Sequence, residues 1–120
     1  MEKETAMRVT IYHNPKCSKS RKALELLQDH SIQPIIVEYL KTPLDLEELQ
    51  TLSTYFELKE FVRHDDPLFK GLKLTLEDKD QVLKAMIKHP IFMQRPIVTS
   101  GDQAMIARPP EKVLELINSR

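Results

Sequence analysis

The sequence predicts an α/β sandwich: a mixed β-sheet covered by helices, with a helical subdomain inserted mid-chain. Three observations predict it. Two β-rich runs, Arg8–Tyr12 and Ile35–Val37, flank a stretch whose apolar positions recur at helical spacing. Residues 44–90 carry helix signals and no strand signal. The last part of the chain reads strand, turn, strand and amphipathic helix.

Arg8–Tyr12 alternates loosely and opens the sheet, while the preceding MEKETAM is too polar for a secretory leader and reads as a frayed terminus. From Ser18 to Asp29, Ala23, Leu24 and Leu27 share one helical face. Pro34 introduces Ile35-Ile36-Val37, a continuous β-branched run expected of a strand buried on both faces. Two parallel strands joined by a helix form a βαβ unit, almost always right-handed. In the insert, Asp45 with Glu48 spells a capping box ahead of Leu46, Leu49 and Leu52. A short segment follows with Leu58, Phe61 and Val62. Thr75 with Asp78 is expected to cap a helix carrying Val82, Leu83, Met86 and Ile87, stopped at His89-Pro90. Pro96–Thr99 and Gln103–Ile106 then form a hairpin about Ser100-Gly101-Asp102. Pro109-Pro110 suits the first turn of a closing helix, where proline sacrifices no hydrogen bond. Val113, Leu114, Leu116 and Ile117 supply its packing face.

A chain of 120 residues fits one domain, here 1–120 with the insert at about 44–90. Acids and bases balance at 18 each, so no global charge drives binding to nucleic acid or an anionic membrane. No apolar run reaches the roughly 20 residues that span a bilayer. One cysteine cannot build a disulfide framework, and with no signal peptide the expected location is the cytoplasm. Four histidines and one cysteine show no ligand spacing, so no metal is expected.

Chemistry concentrates at HNPKCSKSRKA. With a helix starting at Ser18, the sulfur of Cys17 lies among backbone N–H groups that have no partner inside the helix. The helix dipole, Lys19 and Arg21 add positive potential, and His13 can reach the same corner. These effects favour thiolate over thiol, and a fall of two pKa units corresponds to about 2.7 kcal/mol. A lone cysteine is often only a small buried hydrophobe. The basic, helix-starting context favours a reactive thiol that also attracts an oxyanion. By itself His13 reads as a hydrogen-bonding residue at a strand end, and Ser20 as a first-turn serine with a local backbone bond. Arg63, Arg95 and Arg108 stand at element ends, where arginine is usually a solvated charge. Arg95-Pro96 opens one hairpin strand and Arg108-Pro109 follows the other, so both are placed at one end of the sheet. A guanidinium fork there can grip a tetrahedral oxyanion bidentately.

With these residues assembled, the chain resembles the glutaredoxin-type arsenate reductase (ArsC-like) family. The resemblance rests on IYHNPKCSKSRKALELL, FVRHDDPLFKGL, HPIFMQRPIV and ARPPEKVLELI, in that order. It implies a thioredoxin-like fold, Cys17 as nucleophile, and Arg63, Arg95 and Arg108 as oxyanion ligands. It further implies that His13 and Asn14 tune the thiolate, and that Pro96 occupies the cis-proline position, presenting backbone groups toward the sulfur. Arsenate is the implied substrate, glutathione the co-substrate and glutaredoxin the protein partner, with no bound cofactor. Lys19 departs from the family pattern by adding a charge to the cysteine loop. A phosphatase-like C-x5-R loop is excluded because the arginine position is Ala23, and a C-x-x-C pair is excluded by Ser20. Without a second cysteine to resolve an adduct, the reducing thiol must come from outside. The alternatives are an Spx-like regulator that binds RNA polymerase and a glutathione-dependent thiol transferase.

Overall fold

A computed structural model describes residues 8–118 of the chain. The polar leader expected at Met1–Met7 lies outside them. The chain divides into two compact units, one comprising residues up to Glu38 together with those from Arg95 onward, the other Tyr39–Gln94.

The first unit holds a four-stranded mixed sheet of order β2-β1-β3-β4, with β1 at Val9–Tyr12, β2 at Ile35–Val37, β3 at Ile97–Ser100 and β4 at Gln103–Ile106. The pair β1–β2 is parallel, and β1–β3 and β3–β4 are antiparallel. Helix α1, Ser18–Asp29, connects the parallel pair as its periodicity predicts. Its Ala23 and Leu27 are fully buried and meet Val9, Ile11 and Val98 from the sheet in one core. The last helix contributes Val113 and Leu116 to the same cluster. The hairpin turns at Gly101, whose φ of +62° is the left-handed backbone that glycine adopts at least cost.

Two expectations in this unit need correction. Strand β2 is not buried on both faces: Ile35 is 62% exposed and Ile36 44%, because β2 is the outer strand and only β1 pairs with it. A β-branched run reports strand propensity, and position in the sheet decides burial. The closing helix also starts later than its prolines suggest. Pro110–Lys112 forms one 3₁₀ turn, and the α-helix proper follows at Val113–Asn118.

The second unit is helical. Helix α2, Leu46–Ser53, opens on the capping box read from the sequence: the Asp45 carboxylate accepts the Glu48 N–H at 2.8 Å, and Glu48 accepts the Asp45 N–H at 3.0 Å. Helix α3 is a single turn at Leu58–Phe61. Helix α4, Pro67–Gly71, went unread, although Asp66 caps it by accepting the Leu68 N–H and Pro67 fills its first turn. Helix α5, Lys79–Lys88, is capped by Asp78 through the Gln81 N–H. Thr75 is not part of that cap: its hydroxyl accepts the Glu77 N–H in a local turn. Phe61, Phe69, Val82, Leu83 and Phe92 are buried in this unit, with Phe69 and Phe92 edge to face at 5.6 Å.

Among the described residues no helix is long and apolar enough to cross a membrane.

Candidate functional site

The antiparallel register explains why one end of the sheet gathers the reactive groups. Tyr12 pairs with Ile97 and Ile97 with Ile106. The end of β1, the start of β3 and the end of β4 therefore lie side by side. His13 follows the first, Arg95 precedes the second and Arg108 follows the third. The parallel pairing of Tyr12 with Val37 brings Glu38 to the same end.

Between β1 and α1 the chain turns tightly. Asn14 accepts the Cys17 N–H on its carbonyl at 2.9 Å and the Lys16 N–H on Oδ1 at 3.0 Å. Arg21 reaches back from α1 and donates to the Pro15 carbonyl at 2.8 Å. Cys17 is the N-cap of α1, with extended dihedrals of −96° and 121°, a free thiol of intermediate burial. Its sulfur makes no formal capping hydrogen bond, yet the amides of Ser20 and Lys19 face it closely enough to act on its charge.

Partial burial pushes the Cys17 thiol pKa up. The Ser20 and Lys19 amides, then the Arg95 guanidinium through a hydrogen bond and its charge, oppose this and win, so the pKa lies below its ordinary value. His13 is buried, with 6% of its surface exposed. Burial lowers its pKa, Glu38 raises it and Arg21 lowers it again, with the net below the usual imidazole value. The ring therefore favours its neutral form at neutral pH.

The structure brings Cys17, His13, Asn14, Ser20, Arg21, Arg95, Pro96 and Arg108 into the first unit at this sheet end. Arg108 donates to the Arg95 carbonyl at 3.0 Å, tying the starts and ends of the hairpin together. The Ala107 N–H does the same with the Pro96 carbonyl at 2.9 Å. The peptide bonds Arg95-Pro96 and Arg108-Pro109 are both cis. The first matches the position the resemblance implies, and the second was not anticipated. Arg63 belongs to the helical unit. Its backbone N–H donates to the Phe92 carbonyl at 2.7 Å and its guanidinium to the Ile91 carbonyl at 3.3 Å.

Ser20 corrects its sequence reading. Its hydroxyl makes no bond within the helical turn; it lies 2.7 Å from His13 Nδ1 and accepts the Asn14 N–H at 3.0 Å. Glu38 was missed altogether, and its signal was only its place directly after β2. Among the described residues no cluster of three metal-ligating side chains occurs.

Fold and site together define a thioredoxin-like α/β protein with a solvent-reachable cysteine at the head of its first helix. The chain belongs to the ArsC family, which it matches over residues 12–116. An arsenate reductase of Haemophilus influenzae is 44% identical over 116 residues, covering 92% of this chain and 100% of that protein. One from Neisseria meningitidis serogroup A is 40% identical over 110 residues, or 88% and 94% of the two chains. Among solved structures, an arsenate reductase from Vibrio cholerae superposes with a TM-score of 0.84 at 44% identity, covering 92% of this chain and 98% of its own.

Proposed function

We propose that this protein is an oxidoreductase that reduces arsenate to arsenite through one cysteine, with glutathione and glutaredoxin supplying the electrons. The observation that carries the reading is the Cys17 sulfur facing the Ser20 and Lys19 amides and the Arg95 guanidinium, which together hold its pKa down. Those same donors suit a tetrahedral oxyanion, because helix amides and guanidinium forks both direct N–H groups at negative oxygen. Membership of a family whose named relatives are arsenate reductases points to arsenate as that oxyanion.

In the proposed cycle arsenate binds against Arg95 and Arg108. The Cys17 thiolate attacks arsenic and hydroxide leaves as water, giving a Cys17–S–As(V) adduct. His13 and Asn14 shape the thiolate site, and Pro96 sets the strand head behind it. Glutathione then adds to arsenic through its sulfur, again with loss of water. The glutaredoxin thiolate attacks the glutathione sulfur and departs as a mixed disulfide. The electron pair of the As–S bond stays on arsenic, now As(III). Hydrolysis releases arsenite and returns the Cys17 thiol. The external thiols are required because the chain has one cysteine. Reduction takes place in the cytoplasm, where glutathione is available, and no resident cofactor takes part.

The test is arsenite release by the purified chain with glutathione and glutaredoxin. Turnover is expected for the wild type, and complete loss for Cys17→Ser. Arsenate is also expected to protect Cys17 from alkylation. Turnover by Cys17→Ser refutes the nucleophile, and protection without turnover refutes the substrate assignment.

A further inference from the structure

Ser20 sits in the first turn of α1 with 0% exposure. A buried serine usually bonds a carbonyl of its own helix, but this hydroxyl faces the loop that leads into Cys17. It accepts the Asn14 N–H at 3.0 Å and lies 2.7 Å from His13 Nδ1. A hydroxyl has one proton to donate. Since the Asn14 amide can only donate, the serine proton is available for the imidazole nitrogen. The 2.7 Å separation is that of a short, well-formed hydrogen bond.

Resting on the reading of Cys17 as nucleophile, we propose that Ser20 is its positioning residue: the hydroxyl donates to His13 Nδ1 and accepts the Asn14 N–H, pinning the 13–17 loop to α1. His13 is thereby held as the neutral Nε2–H form. One residue serves from both ends, because the Ser20 backbone N–H also faces the Cys17 sulfur. The loop and the amides that stabilise the thiolate are thus fixed relative to each other by a single side chain. The charged groups acting on His13 are Glu38, from the end of β2, and Arg21, from α1. Their effects on the imidazole oppose each other, and burial adds to the preference for the neutral ring. That agrees with a nitrogen that accepts from serine.

Two measurements on the full chain test this without arsenate, so their failure is separable from failure of the reductase reading. The first is the ¹⁵N spectrum of the wild-type imidazoles at neutral pH. His13 is expected to show an unprotonated Nδ1 and a protonated Nε2; a protonated Nδ1 overturns the proposal. The second is the pH dependence of Cys17 alkylation in Ser20→Ala. The midpoint is expected to rise by about one pH unit, a tenfold smaller thiolate-to-thiol ratio at a given pH. As a further readout, arsenate kcat should fall with it while KM stays near wild type, since the Ser20 side chain is sealed from solvent and bonds only the loop. A Ser20→Ala protein that folds and keeps the wild-type midpoint overturns the proposal. If that variant does not fold, the wild-type tautomer decides.

Discussion

Arg95 acts on the Cys17 sulfur in two ways, as a hydrogen-bond donor and as a nearby charge. Both effects vanish in Arg95→Ala, whereas Arg95→Lys keeps a charged N–H donor but loses the planar fork that grips an oxyanion bidentately. Hydrogen bonds to charged groups are worth about 1.5–3 kcal/mol. Arg95→Ala is therefore expected to lower kcat/KM for arsenate by roughly 10- to 100-fold and to move the alkylation midpoint of Cys17 upward. Lysine should restore part of the midpoint and little of the turnover. Steady-state kinetics and alkylation rates read the two effects separately, and unchanged values for both would return Arg95 to the standing of a surface charge. Its guanidinium was legible as a candidate because Arg-Pro heads a strand. Its partnership with the sulfur was not, because that depends on the strand register.

Strands β1 and β2 carry similar β-branched residues, yet their places in the sheet give them different energetic weight. Ile11 is fully buried in the core of the first unit, whereas Ile35 in the outer strand is 62% exposed. Ile11→Ala is expected to cost about 2–5 kcal/mol, the usual range for emptying a packed isoleucine site. Ile35→Ala should cost less than about 1 kcal/mol, since little of its apolar surface leaves water. Denaturant unfolding of both variants checks the contrast, and equal losses would contradict the sheet order. Local signals carried the element boundaries well: Asp45 with Glu48 and the α1 periodicity needed only neighbours three or four positions away. The exposure of β2 was illegible because it depends on which strand lies outside it. Helix α4 was legible in principle, through Asp66-Pro67, but five residues give no periodicity to notice. The link between His13 and Ser20 spans seven positions and a change from strand to helix, so no local pattern announces it.

The proton equilibria of the site extend to the stability of the chain. Cys17 has its pKa lowered in the folded state, so between that value and the ordinary thiol range the folded chain has lost a proton that the unfolded chain keeps. Stability then rises with pH across this window, is fully gained above the unfolded value, and is lost as pH falls through the folded one. His13 has the same sign for a different reason. Burial disfavours its charged form, so the unfolded chain takes up a proton first on acidification. Stability falls from about pH 6.5, the unperturbed imidazole value, down to the folded pKa. Subtracting the unfolding free energy of Cys17→Ser from that of the wild type at each pH cancels most of the histidine effect and isolates the thiol. The difference should be flat on the acid side, climb through the interval below the ordinary thiol pKa, and level off above it. A difference that is flat throughout would mean that Cys17 titrates alike in the folded and unfolded chains. The amides of Lys19 and Ser20 and the Arg95 guanidinium would then fail to hold the sulfur ionised, and the thiolate chemistry would lose its physical basis.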